Sequence, residues 1–367
     1  MHTTCSEAIE EKVLSGKRLS RNEGLQLWQR ADLLELAHLA NLVRFRLHPD
    51  PVVTFVIDTN PNYTNVCITD CVFCAFYRKP GQKDAYTLTV EQVMEIIQRS
   101  VNLGATTILL QGGHNPSIPL DYYLSLIRET RRRFPNVTPH FFTASEVTQM
   151  ASVSGLAIRD VLQQLKDAGQ RTLPGGGAEI LSDRIRRRLA TKKGPAEAWL
   201  AVHREAHELG FKSTATMMFG HIEEDEDVME HLDHVRNLQD ETGGFTAFIP
   251  WTFKPGNTPL HKHIRQHAGP TRYLRMIAFS RLYLDNVPHI QASWFSEGKK
   301  TGQIALHFGA DDFGGTLFDE NVHAATGFIN KTAVDEIIAL IQESGFDAAQ
   351  RTTLYEILRR CEPALAT

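Results

Sequence analysis

Three closely spaced cysteines constrain this chain more than any other feature. Cys67, Cys71 and Cys74 stand at C-x3-C-x2-C spacing, and the other two cysteines, Cys5 and Cys361, lie near the ends of the 367-residue sequence. Thiolates are good ligands for iron–sulfur clusters and for zinc. Three thiolates on one loop can hold three irons of a cubane and leave the fourth iron open to a bound molecule. The spacing therefore favours an iron–sulfur site that carries chemistry.

Other uses of these thiols fit less well. A structural zinc site needs a fourth Cys or His to close its tetrahedron, and residues 64–83 contain no His and no further Cys. The odd number of cysteines argues against a disulfide framework. Residues 1–7 also lack the pattern of a secretory signal. Incidental thiols are the remaining alternative.

The composition argues against several classes of partner. The chain has 39 basic and 43 acidic residues and a formal net charge of −4, which gives no electrostatic reason to expect nucleic acid or an anionic membrane as a partner. No apolar run approaches the length of a membrane span. An open cluster also needs a reducing compartment. We therefore expect a soluble, cytoplasmic protein that acts on a small molecule.

Strand and helix signals alternate along most of the chain. The β-branched run at residues 52–57 is typical of a buried parallel strand, and the cysteine loop follows it directly. Further strands are predicted at 106–110, 137–143, 171–173, 213–219, 245–253 and 289–295, with a last βα unit within 304–343. About eight such units predict an α/β fold, a (β/α)8 TIM-type barrel. A doubly wound open sheet is the alternative.

The ends of the chain are predicted to be helical. Residues 1–50 form an N-terminal helical extension, in which one amphipathic helix over 20–45 covers an end of the barrel. The barrel itself takes up residues 51–345, as a single catalytic domain. Residues 346–367 are expected to form a short helical tail.

Several polar and glycine-rich motifs follow predicted strands, where the reactive groups of a barrel gather. Gln111, Gly112 and Gly113 follow the second strand, and Gly175–Gly177 with Glu179 follow a middle one. Glycines let a ligand approach the backbone, although a tight turn explains Gly112 and Gly113 equally well on spacing alone. Glu179 is placed to accept a hydrogen bond from a hydroxyl.

Two pairs of polar residues are open to more than one interpretation. His221 and Glu223 follow the 213–219 strand and point to one side of an extended segment, so they either move a proton or form a solvated strand end. His203 and His207 stand at i and i+4 on a helix, outside any H-E-x-x-H frame. We expect that second pair to form a solvated helix face.

The cysteine loop and several separated strings resemble the radical S-adenosylmethionine superfamily, in its branch for menaquinone and deazaflavin biosynthesis. The strings are NYTNVC…C.FCAFYR, LLQGG, LPGGGAEIL, STATMMFGHIE, FIPWTFKPGNTPL and ALHFGADDFGGT…ENV. The resemblance implies a [4Fe–4S] cluster on the three cysteines and S-adenosylmethionine on the open iron, with the Gly-Gly turn holding its amino group. The cofactor-binding residues that it implies are Phe73, Gln111, Gly112, Gly113, Gly175, Gly176 and Glu179.

The resemblance also implies a reaction. A 5′-deoxyadenosyl radical takes hydrogen from ribose C4′ of dehypoxanthine futalosine, and the carbon radical closes onto the benzoate ring. His221 and Glu223 are the candidate proton acceptors, and a flavodoxin or ferredoxin is the expected reductant. The alternatives are a sister enzyme such as aminofutalosine synthase, a non-enzymatic iron–sulfur electron carrier, and a zinc-stabilised binding module.

Overall fold

The computed structural model describes residues 7–264 and 267–362, and its centre is a ring of parallel strands. The strands of the ring are β1 (Val52–Val56), β2 (Asp58–Thr59), β3 (Thr107–Leu110), β4 (Thr138–Phe141), β5 (Thr172–Leu173), β6 (Lys212–Phe219), β7 (Phe245–Thr252), β8 (His289–Ile290) and β9 (Asp312–Gly315). Two further strands, β10 (Asp347–Arg351) and β11 (Ile357–Arg360), follow near the end of the chain. The helices are α1 (Glu7–Leu14), α2 (Arg21–Arg30), α3 (Leu33–Leu47), α4 (Val90–Asn102), α5 (Leu120–Arg133), α6 (Ala144–Ser154), α7 (Ile158–Ala168), α8 (Asp183–Leu189), α9 (Ala196–Glu208), α10 (Asp225–Thr242), α11 (Pro270–Tyr283), α12 (Trp294–Glu297), α13 (Lys299–Leu306) and α14 (Val334–Glu343).

The ring closes because β1 pairs in parallel with β9, while its continuation β2 pairs with β3. Parallel ladders then join β3 to β4 and run from β5 through β6 and β7 to β8. Gln170 donates a hydrogen bond of 2.7 Å to the carbonyl of Phe141 across the β4–β5 gap. A parallel bridge between Gln291 and Asp312 joins β8 to β9. The predicted α/β barrel is confirmed, and the open sheet is excluded.

The outer helices cover the ring with their apolar faces, as α4 illustrates. Thr89 and Gln92 form a capping box at its start, and the helix buries Val93, Met94 and Ile97. On the ring, Val53 and Phe55 of β1 are fully buried, as expected for a strand with both faces covered. The carboxyl ends of the strands are thereby held in fixed positions around one opening.

The described part of the N-terminal extension, residues 7–50, contains three helices. The single helix predicted over 20–45 is in fact two. The chain breaks at Ala31, and the Asp32 carboxylate caps α3 by accepting from the backbone of Leu34 at 2.8 Å. The indole of Trp28 donates to Asp225 at 2.7 Å, and α2 and α3 pack on α10 and α11. The extension therefore lies against the side of the barrel, and its predicted position over one end is wrong.

The predicted helical tail is also wrong, because the chain after residue 345 forms two strands. β10 pairs in parallel with β1, from Val52–Asp347 to Phe55–Gln350, and β11 pairs antiparallel with β10. The tail takes the side of β1 on which its continuation, β2, pairs with β3, and that pairing begins only at Asp58. The backbone groups of β1 before that point need another partner, and the tail supplies one.

Two smaller differences concern elements at the strand ends. Helix α6 was not expected, although Thr143 and Glu146 form a capping box at its start. The strand predicted over 289–295 stops at Ile290, and the short helix α12 follows.

Among the described residues, no helix has both the length and the apolar character that crossing a membrane would require.

Candidate active site

A cavity of about 320 Å³ collects the motifs at the carboxyl ends of the strands. Its lining includes every residue predicted to bind metal or cofactor, namely Cys67, Cys71, Cys74, Phe73, Gln111, Gly112, Gly113, Gly175, Gly176 and Glu179. These residues come from three separate loops, so the barrel brings together what the sequence keeps apart. His221 and Glu223 are not part of this lining.

The cysteine loop presents three free thiols to the cavity. Cys67 and Cys71 are buried and Cys74 is half-buried, and the hydroxyl of Thr69 lies 2.8 Å from the Cys67 sulfur. Burial raises the pKa of Cys71 to about 11 and also raises that of Cys74. The thiols of Cys71 and Cys74 are therefore protonated in the absence of metal, and a metal that binds these two residues has to displace their protons.

The glycine turn after β3 packs directly against the cysteine loop. A Cβ atom on Gly112 would lie 2.6 Å from the Tyr63 ring, and one on Gly113 would overlap the carbonyl oxygen of Val66. The backbone N–H of Gly113 also donates to the carbonyl of Thr64 at 2.9 Å. These two glycines are thus required by contacts within the protein, whatever ligand the other side of the turn faces.

The glycines after β5 are also crowded by the protein. A Cβ on Gly175 would lie 2.5 Å from the Thr214 carbonyl oxygen, and one on Gly176 would lie 2.9 Å from a methyl carbon of Thr143. The absence of side chains lets neighbouring strand ends and loops come together at the cavity.

An ion pair lies next to the cysteines. The ammonium of Lys193 donates to the Glu179 carboxylate at 2.8 Å, and both side chains are largely buried. Burial opposes the charge on Lys193, but attraction to Glu179 and Cys71 keeps its pKa above the ordinary value. Glu179 has a φ of 47°, in the left-handed region that non-glycine residues seldom adopt. Lys193 was not predicted, because it follows α8 and no local motif links it to the cysteines.

Glu146 is a second residue that the sequence interpretation missed. It lines the cavity and accepts hydrogen bonds from the backbone of Gly112 at 2.9 Å and of Thr143 at 2.7 Å. Burial raises the pKa of this carboxyl. The Thr-x-x-Glu spacing of its capping box was a signal for α6, but nothing local in the sequence indicated its bond to Gly112.

Part of the cavity wall has polar atoms without partners. The side-chain oxygens of Asn60 and Asn62 are buried and accept no hydrogen bond within the protein. The hydroxyl of Tyr355 is also unpartnered, and its ring stacks 3.8 Å from that of His289 and 3.9 Å from the Arg351 guanidinium. Buried polar atoms normally have partners. These three atoms are therefore positions where a bound molecule would complete the hydrogen bonding.

Another part of the wall is aromatic. The ring of His323 lies 5.2 Å from that of Trp251 and 5.0 Å from that of Phe295, and all three line the cavity. Burial lowers the pKa of His323 to about 4, so the imidazole is neutral at pH 7, and its Nδ1 has no partner. Glu320 also lines the cavity, and burial raises its pKa.

His221 and Glu223 are both hydrogen-bonded to the backbone of their own turn. Nδ1 of His221 accepts from the backbone of Ile222 at 2.7 Å, and its Nε2 donates to the carbonyl of Met218 at 3.0 Å. Glu223 accepts from the backbone of Gly220 and His221 at 2.7 and 2.8 Å. Both side chains are buried, so the solvated strand end is wrong. The closed bonding gives them a role in holding the β6 turn.

The solvated helix face predicted for His203 and His207 is wrong as well. His203 is fully buried, its ring lies 4.0 Å from that of Trp199, and both histidines contact the hydroxyl of Ser213, at 3.1 and 2.7 Å. Burial lowers the pKa of both. They join α9 to β6 beneath the outer surface.

Two family models match successive parts of the chain. Residues 61–235 match the radical SAM superfamily, and residues 242–364 match the CofH/MqnC C-terminal region. Cyclic dehypoxanthine futalosine synthase of Halalkalibacterium halodurans is 42% identical over 97% of this chain and 96% of its own length. Aminodeoxyfutalosine synthase of Thermus thermophilus is 41% identical, over 96% and 95%. The crystal structure of methylornithine synthase has the same fold, with a TM-score of 0.72 at 16% identity over 92% of this chain and 96% of that one.

Proposed function

The chain belongs to the radical S-adenosylmethionine superfamily, in the branch that contains the futalosine synthases, and on this premise we propose that it cyclises dehypoxanthine futalosine in menaquinone biosynthesis. The observation that carries the proposal is the cavity itself. Three free thiols and two glycine turns meet there with an aromatic wall large enough for a benzoate ring. A non-enzymatic electron carrier or a zinc-stabilised module would have no use for such a cavity.

The residues present fit a [4Fe–4S] cluster and S-adenosylmethionine. Cys67, Cys71 and Cys74 are free and line one cavity, so they would hold three irons. When bound, the cluster and S-adenosylmethionine supply the 5′-deoxyadenosyl radical that takes hydrogen from ribose C4′. The unpartnered oxygens of Asn60 and Asn62 suit the N–H donors of such a ligand.

Lys193 and Glu179 would bind the charged and hydroxyl groups of S-adenosylmethionine. The ammonium of Lys193 lies on the cavity wall and suits a carboxylate, while Glu179 beside it suits an ammonium or hydroxyl donor. The backbone of Gly112 and Gly113, with Gln111, forms the adjacent wall. Glu146 holds that turn from behind.

The aromatic wall would orient the other substrate. Trp251 and Phe295 offer apolar surface to the benzoate ring, and the unpartnered hydroxyl of Tyr355 suits an oxygen of the ribose. These apolar rings would keep water from the carbon radical on the side that they cover. The return of aromaticity releases one electron and one proton from the cyclised radical. The electron would return to a bound cluster, which the cleavage of S-adenosylmethionine leaves oxidised. The proton needs an acceptor on the wall, and Glu320 and His323 are there, whereas His221 and Glu223 are not.

Labelled substrate tests the proposal and separates it from the sister reaction. Dehypoxanthine futalosine with deuterium at C4′ is incubated anaerobically with the reconstituted protein, S-adenosylmethionine and dithionite, and the products are analysed by mass spectrometry. We expect deuterated 5′-deoxyadenosine and a spirocyclic product. A parallel reaction contains an enolpyruvyl substrate instead, and adenosyl carbon bound covalently in its product would identify an aminodeoxyfutalosine synthase. Neither product, with the cluster intact, would mean that the substrate is different.

A further inference from the structure

We propose that an exposed basic face beside the cysteine loop docks a small acidic one-electron carrier protein. The basic face consists of Arg187, Arg188 and Lys192, together with the exposed side chain of Ile68. The inference rests on the proposed function, because reductive cleavage of S-adenosylmethionine consumes one electron at a time. It goes beyond that function by assigning the surface through which the electron enters.

The basic face is fixed to the cysteine loop by hydrogen bonds. The backbone N–H of Val72 donates to the carbonyl of Leu189, the last residue of α8, at 3.0 Å. Lys192 donates to the carbonyl of Ile68 at 3.0 Å and to the carboxylate of Asp70 at 2.8 Å. The cations therefore keep a constant position relative to the thiols.

Two of the three cations of this face, Arg187 and Arg188, are available to a partner, whereas Lys192 is paired with Asp70. Arg187 and Arg188 are exposed, and neither has a carboxylate partner among the described residues. In contrast, Arg184 pairs with Asp227, and Arg186 is buried and donates to the carbonyl of Ala178 at 2.6 Å. These two unpaired arginines, on a chain of net charge −4, favour an acidic partner.

The apolar centre of the face gives a short route for the electron. Ile68 is 39% exposed and is covalently joined to Cys67, which lines the cavity. A partner that covers Ile68 is therefore one residue away from a predicted cluster ligand. Electron-transfer complexes commonly have small interfaces and rely on charge for orientation, and a few cations around one apolar side chain match that type of interface.

A third segment extends the same side of the molecule. The backbone N–H of Leu260 donates to the carbonyl of Val72 at 2.9 Å, which places the turn Pro259–His263 on the cysteine loop. Lys262 in this turn is exposed. Val72 is thus held between two basic segments, and both lie beside the loop that carries the thiols.

Charge reversal tests the docking surface. Arg187→Glu/Arg188→Glu is compared with Lys17→Glu/Lys212→Glu, which changes the net charge equally. Lys17 and Lys212 are exposed, and Lys212 begins β6, at the end of the barrel away from the cysteine loop. Each reconstituted protein is mixed with reduced flavodoxin as the acidic probe. The rate of cluster reduction and the affinity for oxidised flavodoxin are measured from about 20 to about 400 mM salt. Over this range salt goes from weak to strong screening of the attraction between surface charges.

We expect the first variant to be reduced at least about tenfold more slowly at low salt, to bind flavodoxin more weakly, and to approach the parent protein at high salt. Reduction by dithionite and iron content should be unchanged in both variants. Equal slowing in both variants, or flavodoxin rates that do not depend on salt, would overturn the proposal. Lys262→Glu serves as a second variant if the first does not fold. Failure of the proposed cyclisation appears separately, as missing product in the dithionite reaction.

Discussion

The hydroxyl of Tyr63 donates a hydrogen bond of 2.6 Å to the carboxylate of Glu146, 83 positions away in the sequence. Tyr63 begins the cysteine loop, and Glu146 also accepts from the backbone of Gly112 at 2.9 Å. One buried carboxyl thus joins the cysteine loop, the glycine turn and α6. The relative position of the thiols and the glycine turn depends on this bond.

Tyr63→Phe should therefore lower stability more than the loss of an ordinary tyrosine hydroxyl. The variant removes a buried hydrogen bond to a carboxyl, and we expect a loss of about 2 kcal/mol in the free energy of unfolding, measured with urea. Tyr122→Phe is the control, because its half-buried hydroxyl donates only to the carbonyl of Leu88, at 2.7 Å. We expect about 1 kcal/mol there. Equal losses would show that Glu146 does not strengthen the Tyr63 bond.

Iron content should depend on three of the cysteines. Replacing Cys67, Cys71 or Cys74 by Ala should remove the cluster, because each would hold one iron; the parent should retain about four irons per chain after anaerobic reconstitution. Cys361, half-buried beyond β11, and Cys5, which lies outside the described residues, should be replaceable by Ala without loss of iron. Iron loss in either of these variants would contradict the assignment.

Gly113→Ala should disturb the cysteine loop. The sequence alone predicts that a larger residue here blocks a ligand and leaves iron content normal. The structure changes this expectation, because the added Cβ would overlap the carbonyl oxygen of Val66, next to Cys67. We expect lower iron content after reconstitution. Gly269→Ala is the control, since a Cβ there meets nothing within 4 Å. Normal iron content in both variants would support the expectation from the sequence, in which a larger residue at Gly113 blocks only the ligand.

Asp58→Asn should change how stability depends on pH. Burial raises the pKa of Asp58 to about 6, so the folded state holds this proton more tightly than the unfolded chain, whose pKa is about 3.9. The resulting stabilisation is fully present below about pH 4 and is lost as pH rises through 6. The parent should lose up to about 3 kcal/mol relative to Asp58→Asn between pH 4 and pH 7.

Urea unfolding at several pH values measures this difference. Asp121→Asn is the matched control, because that carboxylate is 82% exposed and replacing it should leave the pH dependence of the parent unchanged. The free energy of unfolding of Asp58→Asn could instead fall between pH 4 and pH 7 as steeply as that of the parent. The pH dependence would then arise from other groups.

The barrel and the position of its chemistry follow from local patterns in the sequence. The β-branched run before the cysteines fits a strand covered on both faces, and helices with capping boxes such as Thr89–Gln92 follow from local hydrogen bonding. Because the carboxyl ends of parallel barrel strands share one side, motifs that follow strands were expected to meet. All of the predicted cofactor-binding residues do line one cavity.

Which distant residues complete the site depends on long-range contacts that no local pattern shows. Glu146, Lys193 and Tyr355 have no local pattern that ties them to the cysteines, since their partners become neighbours only when the ring closes. The tail became β10 because β1 had backbone groups without a partner. His221 and Glu223 do not line the cavity, because both form hydrogen bonds with the backbone of their own turn. Local pattern fixes what a segment can form, whereas long-range hydrogen bonding and burial fix what each side chain faces.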